Sequence, residues 1–251
     1  MIKILIAARR LPGMTRQKYS QHCQTVHARK ILAGPADMLV HVSKYVQNFV
    51  IDSAYGAPEV TRVAPVEMDS VSEIYQPSPE AMGLMTSHPY YLSVIQPDEH
   101  LFADASTLKV MVTVEEREQV AVPRRGAVKL IHFIATREGA DQEQFFIAWR
   151  AASQAIVADA SLAPTLCGYT RSHALPVPKD ATRDLLGGTP INFHAGATSV
   201  WFDRADDLSG IERYRELFDE IMVSGSASLV DASQSMFLIA QEIELHPYHA
   251  S

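Results

Sequence analysis

The sequence predicts an α+β fold: two tandem ferredoxin-like βαββαβ repeats forming an α/β barrel. Three observations predict it. The 251-residue chain repeats itself: a slide of 126 sets Lys3 on Lys129, Gly13 on Gly139 and Tyr19 on Phe145. A slide of 124 sets Tyr45 on Tyr169, and one of 127 sets Asp104-Ala105-Ser106 on Asp231-Ala232-Ser233 and Glu115 on Glu242. Each copy also reads as strand, helix, strand, long loop, strand, helix, strand, which puts both helices on one face of an antiparallel sheet. Finally, 47% hydrophobic residues, 20% charged residues and a mean hydropathy of −0.03 describe a globular chain able to bury the second face of each sheet.

The elements follow in order. Ile2–Ala8 is a short apolar strand. Thr15 caps a helix running to about Ile31, with Tyr19, Cys23, His27 and Ile31 on its inward row at i, i+4 spacing. Strand two spans about 42–51 and strand three 70–75; a second helix begins at Ser78 with Pro79 in its first turn, and strand four is 108–115. A linker at 118–126, with Pro123 and Arg124-Arg125, separates residues 1–118 from a second unit at 127–251. There the strand VKLIHFI precedes a helix capped by Asp141, with Gln144 completing a capping box and Phe145, Trp149, Ser153 and Val157 as its inward row. Strands at 168–175, 198–202 and 236–243 and a helix at 206–222 complete the copy. Two long insertions, 52–67 and 176–195, fall at matching places and carry Pro and Gly, as shaped lids would; Tyr55, Phe193 and His194 are their candidate ligand contacts, with solvent-exposed variation the alternative.

Copy one contains TRQKYSQHCQTVHARKI, KYVQNFV and DEHLFADAS. These resemble the EthD-like proteins of the dimeric α/β-barrel (ferredoxin-like) superfamily, whose pattern has an aromatic, a Trp and Val-His-Ala in the first helix. A Tyr-Val-Gln-Asn-His strand follows, and an Asp-Glu-x-x-Phe-x-Asp segment precedes strand four. The resemblance covers nearly all of copy one and reaches copy two through FFIAWRAAS, VWFD and VDAS. It implies an EthD-like domain in each copy, and membership of a superfamily of cofactor-free isomerases, lyases, polyketide cyclases and monooxygenases. Cys23 stands where the helix Trp is usual, and Phe49 where the strand His is usual. Copy two keeps Trp149, has Ser153 in place of the helix histidine, and aligns His173 with Phe49. This asymmetry points to one sheet carrying the chemistry while the other shapes the pocket.

His27 is the sharpest candidate: a histidine on a buried helical row either exchanges protons near neutral pH or is a core group bonded to a carbonyl. The resemblance strengthens the first reading. On strand two, Tyr45 and Gln47 share one face and Asn48 takes the other, so either amide can hold a carbonyl or enolate oxygen or simply solvate the sheet. Glu73, between Val71 and Tyr75, is a second acid/base group or a salt-bridged structural one. Arg171 and His173 bind an acidic or phenolic oxygen, or face solvent as a pair. Tyr19, Tyr75 and Trp149 complete the expected substrate contacts. His22 and His27, five apart, point away from each other on an α-helix and make no helical metal pair.

Other chemistries find little support. The formal charge of −7 and pI of about 5.8 disfavour nucleic acid. No apolar run approaches the ~20 residues of a bilayer span. The opening MIKILIAARR is too short a run for a signal peptide, and two cysteines make neither a disulfide framework nor a four-thiolate site. A cytoplasmic protein follows. GxGxxG, Walker and GxSxG motifs and HExxH are missing from the sequence. The expectation is therefore a cofactor-independent, metal-free lyase or isomerase of dehydratase or cyclase type. It acts on a small hydrophobic aromatic or polycyclic compound, in aromatic compound catabolism, with His27, Glu73 and Tyr45 catalytic. The alternatives are a cofactor-free monooxygenase and a non-catalytic binding protein. The barrel closes within one chain or across a homodimer.

Overall fold

The computed structural model describes residues 1–51, 68–121, 128–176, 194–203, 209–224 and 229–245. The first half contains β1 (Ile2–Ala8), β2 (Lys44–Val50), β3 (Ser70–Gln76) and β4 (Lys109–Glu118). The second contains β5 (Val128–Ala135), β6 (Leu166–Ala174), β7 (His194–Phe202) and β8 (Met236–Leu245). All pairings are antiparallel, and the strands close into one barrel in the order β1-β3-β2-β8-β5-β7-β6-β4. Each half contributes four strands, ordered 4-1-3-2 and 8-5-7-6, and the halves join through β2–β8 and β4–β6. The barrel thus closes within a single chain.

The sequence offsets reappear as strand register. Lys3 pairs with Tyr75 as Lys129 pairs with Trp201, and Tyr45 pairs with Leu245 as Tyr169 pairs with Glu118. Gly13 and Gly139, one repeat apart, both turn the chain from strand to helix at positive φ, 83° and 76°, which only glycine adopts cheaply.

Helix α1 is an α segment (Arg16–His22), a π turn (Cys23–His27) and a second α segment (Ala28–Leu32), N-capped by the Thr15 side chain. A short α2 (Ala36–Leu39) leads into β2. Helix α3 (Pro79–Thr86) starts at the Ser78 cap, and a π turn (Tyr91–Ile95) runs into α4 (Gln96–Glu99). In the second half α5 (Gln142–Ala158) is capped by Asp141, and α6 (Ser209–Phe218) ends in a π turn (Asp219–Val223). The buried row of α5 ends at Ile156 rather than the expected Val157, which is only half-buried, because packing follows the 3.6-residue helical period more closely than a strict i, i+4 row. The insertion 52–67, most of 176–195 and most of the linker lie outside the described residues, so the lids and Tyr55 and Phe193 do too. His194 is the exception: it begins β7 instead of standing in a lid.

Both faces of β1 and β5 are buried, which explains why these strands read as continuous apolar runs. One face packs under helices. The other points into the barrel, where Leu5, Ala7, Val71, Ile131, Phe133, Ala197 and Leu238 form a plug. Beside that plug lies a buried charge cage. Lys3 Nζ sits 3.1 Å from Glu73 and 2.8 Å from Glu115, and Lys129 Nζ meets Glu73 at 2.5 Å and Glu242 at 2.7 Å. Lys3 and Lys129, and likewise Glu115 and Glu242, are repeat mates, but Glu73 has only Ser199 as its counterpart, so within this cage the carboxylate of Glu73 bridges the two halves. Buried charges survive only when paired and hydrogen-bonded. Asn48 Nδ2 and Tyr75 Oη also donate to Glu73, at 3.1 and 3.2 Å, and the two lysines hold its carboxyl far below the carboxylate range against the opposing effect of burial.

Candidate active site

The barrel interior is thus filled by side chains, and the cavity lies outside the barrel, under the helices. It occupies about 90 Å³ between the outer face of the first-half sheet and helices α1 and α4. Alternation along the strands decides what reaches it. Tyr45, Gln47 and Phe49 of β2, Ser70, Ser72 and Ile74 of β3, and Ile4 and Ile6 of β1 face it, whereas Asn48, Glu73 and Tyr75 face the barrel. From the helices come Tyr19, Cys23, His27, Tyr91 and Glu99.

The second half shows why the first is hollow. Trp149, the repeat mate of Cys23, is fully buried and fills the corresponding space, its Nε1 donating to Thr198 at 3.1 Å. Gly196, the mate of Ser70, makes this fit: a Cβ there would lie 2.5 Å from Trp149 Cη2. With Cys23 and Ser70 in those places, the first half keeps an opening lined largely by apolar groups.

His27 is the titratable group best placed to act in it. Its Nδ1 lies 2.9 Å from Asp98 Oδ2. His22 Nε2 and Lys30 Nζ reach the other oxygen, Oδ1, at 3.1 and 2.6 Å. The expected divergence of His22 and His27 is corrected here: the π turn bonds Ala28 N–H to Cys23 O, an i→i−5 step that rotates His27 back toward His22. Both rings also pack on Phe102, with centroids 4.9 and 5.0 Å away. Burial lowers the Asp98 carboxyl's preference for charge, but hydrogen bonds from Lys30, His27 and His22 prevail and hold its pKa below the ordinary value. Burial likewise lowers the His27 pKa, only partly offset by Asp98. A neutral His27 must then carry its proton on Nδ1, facing the carboxylate, leaving Nε2 as a bare acceptor.

The rest of the polar lining is pinned to the same wall. Gln47 Nε2 donates to Tyr45 Oη at 2.9 Å and to Cys23 O at 3.2 Å, and Tyr19 Oη and Ser70 Oγ share a 2.7 Å hydrogen bond. Burial pushes the Tyr45 hydroxyl and the Cys23 thiol each up to about 12, so both stay protonated.

Of the residues singled out in the sequence, His27, Tyr45, Gln47 and Tyr19 converge on this cavity. Glu73, Asn48 and Tyr75 sit on the far side of the sheet in the charge cage. Trp149, Arg171 and His173 lie under the second-half helices: Arg171 is paired with Glu116 at 2.9 Å and Glu118 at 2.6 Å, and His173 packs 4.9 Å from the Trp149 ring. His194 bonds through Nε2 to Gln234 O at 3.2 Å, away from the cavity. Asp98 and Glu99 were not foreseen as site residues, although both belong to DEHLFADAS. Asp98 holds His27, Glu99 lines the cavity, Phe102 packs on both imidazoles, and Asp104 caps the turn Ala105–Thr107.

Among the described residues no group of three or more His, Cys, Asp or Glu is placed to hold a metal ion, and no helix is long and apolar enough to cross a membrane. Cys23 and Cys167 are both free and buried.

Residues 11–106 match the EthD domain family. No curated protein matches the chain in sequence. Among solved structures, an anthrone oxidase-like protein shares the fold with a TM-score of 0.62 at 10% identity, over 100% of this chain and 95% of its own. A candidate chlorite dismutase superposes with a TM-score of 0.53 at 7% identity, covering 96% and 94% of the two chains. A candidate monooxygenase of Lactobacillus acidophilus NCFM gives 0.51 at 13% identity, covering 98% and 95%. The first half of this chain is thus similar to the EthD domain family over residues 11–106, and the closed α/β barrel that contains it shares its fold with the anthrone oxidase-like protein, the candidate chlorite dismutase and the candidate monooxygenase.

Proposed function

We propose that the chain is a cofactor-independent lyase or isomerase that removes a proton next to a carbonyl in a small aromatic or polycyclic compound. The observation that carries this is the His27 Nδ1–Asp98 Oδ2 contact of 2.9 Å, which fixes the tautomer and leaves Nε2 as the base at an apolar cavity. Tyr45, Gln47 and Tyr19 position the ligand. The dry walls strengthen each polar contact and keep the carbanion from water. Glu73, held as an anion between two lysines, serves the architecture.

A second reading, cofactor-free oxygenation, is favoured by the names of the anthrone oxidase-like and monooxygenase fold neighbours. It begins with the same proton abstraction and departs only when the carbanion meets oxygen. Exchange of the α-protons of 2-tetralone in D₂O tests the shared step. The protein accelerates exchange, and His27→Ala slows it by ~10²–10⁴-fold, the scale of losing a general base. An unchanged rate in His27→Ala refutes the reading. Oxygen uptake with anthrone as substrate selects the oxygenase instead, and a probe that binds but neither exchanges nor reacts marks a non-catalytic binding protein.

A further inference from the structure

Glu99 is a half-buried carboxyl at the cavity wall that the proton-abstraction step does not use. It follows Asp98 directly in α4, and the two neighbouring side chains part: Asp98 turns to α1 and its histidines, while Glu99 lines the cavity. Tyr91 Oη donates to Glu99 at 3.2 Å. Among the described residues no lysine, arginine or histidine is paired with it. The contrast with Glu73 is chemical. A carboxylate between two ammonium groups stays ionised and has no proton to give, whereas one in apolar surroundings with no cation keeps its proton and can donate it.

A second group on the same wall is also unspent. Gln47 commits its N–H groups to Tyr45 Oη and Cys23 O, while its own carbonyl oxygen Oε1 is buried without a partner. A buried acceptor left unmade costs about 1–3 kcal/mol, so a ligand hydroxyl reaching it is favoured.

Resting on the proton-abstraction reading above, we propose that Glu99 gives a proton to the carbonyl oxygen of the substrate while His27 takes one from the adjacent carbon, and that the substrate is a hydroxylated aromatic ketone whose hydroxyl is held by Gln47. The C–H electron pair becomes the C=C of an enol, and the carbonyl oxygen takes the Glu99 proton. In an isomerisation the His27 proton returns to a conjugated carbon, and Glu99 recovers the enol proton. In a dehydration the enol hands its proton back to Glu99 as the carbonyl re-forms, Glu99 passes that proton to the departing hydroxyl, water leaves, and the proton taken up by His27 restores Glu99 through solvent. Electrons balance in both, and no oxidant enters.

The surroundings of Glu99 support this order of proton affinities. Burial pushes its carboxyl up to about 8, the Tyr91 hydrogen bond opposes this, and the Asp98 charge adds to the rise. The Tyr45 hydroxyl also faces it, and behind Asp98 stand His22, His27 and Lys30. Activity should then rise as His27 loses its proton below pH 6.5 and fall as Glu99 ionises near pH 8.

The test is 2-tetralone exchange in D₂O as a function of pH, for wild type, Glu99→Gln, Glu99→Asp and His27→Ala. Glu99→Gln keeps the shape and neutrality of the group, so it folds, but it has no transferable proton. The expected result is a ~10²-fold loss at pH 7, no alkaline limb near pH 8, and partial recovery in Glu99→Asp. Exchange equal to wild type with the alkaline limb intact overturns the role of Glu99 and leaves His27 standing. Loss confined to the melting temperature, with a normal rate per folded molecule, overturns it as well. Exchange by wild type no faster than in buffer, or by His27→Ala no slower than wild type, overturns the proton-abstraction reading itself.

Discussion

Replacing Trp149 by Ala tests whether one side chain decides which half of the barrel is hollow. Trp149 is fully buried, packs within 5.5 Å of Phe145 and 4.9 Å of His173 by ring centroid, and donates through Nε1 to Thr198. Removing a buried tryptophan costs about 3–5 kcal/mol through lost transfer energy and the cavity left behind. For a chain of this size each kcal/mol lowers the melting temperature by about 2–4 °C, so a fall of roughly 10 °C or more is expected. Its repeat mate Cys23 borders an existing cavity and fills little of it, so Cys23→Ala should cost about 1 kcal/mol or less. Urea unfolding of both variants, followed by far-UV circular dichroism with the slopes compared, measures the pair directly. Indole at millimolar concentration should raise the melting temperature of Trp149→Ala by more than that of the wild-type protein, because the variant adds a second hole to the first-half cavity. Equal costs for Trp149→Ala and Cys23→Ala would refute the argument that Trp149 closes the second site.

Three further outcomes follow from the same geometry. Cys23→Trp combined with Ser70→Gly copies the second half into the first, so the double variant should fold and lose 2-tetralone binding in a calorimetric titration, while Cys23→Trp alone should be less stable than the double because of the Ser70 side chain. Glu73→Gln removes the carboxylate shared by two buried lysines and should cost about 3 kcal/mol in urea unfolding, the low end for a broken buried pair because Glu115 and Glu242 still face them; a loss under about 1 kcal/mol would show that the cage is not a structural joint. Burial pushes His194 down to about 4 from an ordinary 6.5, so the unfolded chain binds the proton first and stability falls as pH drops below 6.5; at pH 5 this amounts to about 2 kcal/mol, and His194→Gln should flatten the acid side of a melting-temperature profile.

Much of this architecture was legible in the residues because repetition and periodicity are properties of the chain itself. The offsets of 124, 126 and 127 that relate Tyr45 to Tyr169, Lys3 to Lys129 and Glu115 to Glu242 became strand registers, since each slide carries the hydrophobic alternation that sets pairing. The caps at Thr15, Ser78 and Asp141 lie where local hydrogen-bonding chemistry puts them. Alternation also separated Tyr45 and Gln47 from Asn48. What it left undecided was which face of the sheet is hollow. Closing two sheets into a barrel fills the inside with Leu5, Ile131, Phe133 and the Glu73 cage, and moves the cavity under α1, where Cys23 and Ser70 stand for a bulky tryptophan and its glycine. The partner of His27 was hidden for a similar reason. Asp98 is 71 residues away, in a polar segment that reads as a surface turn, and only the π turn of α1 and the packing of α4 against it bring carboxylate and imidazole to 2.9 Å. Local patterns specify elements and their faces, but burial, and with it the proton affinity of each acid and base, depends on contacts made across the whole fold.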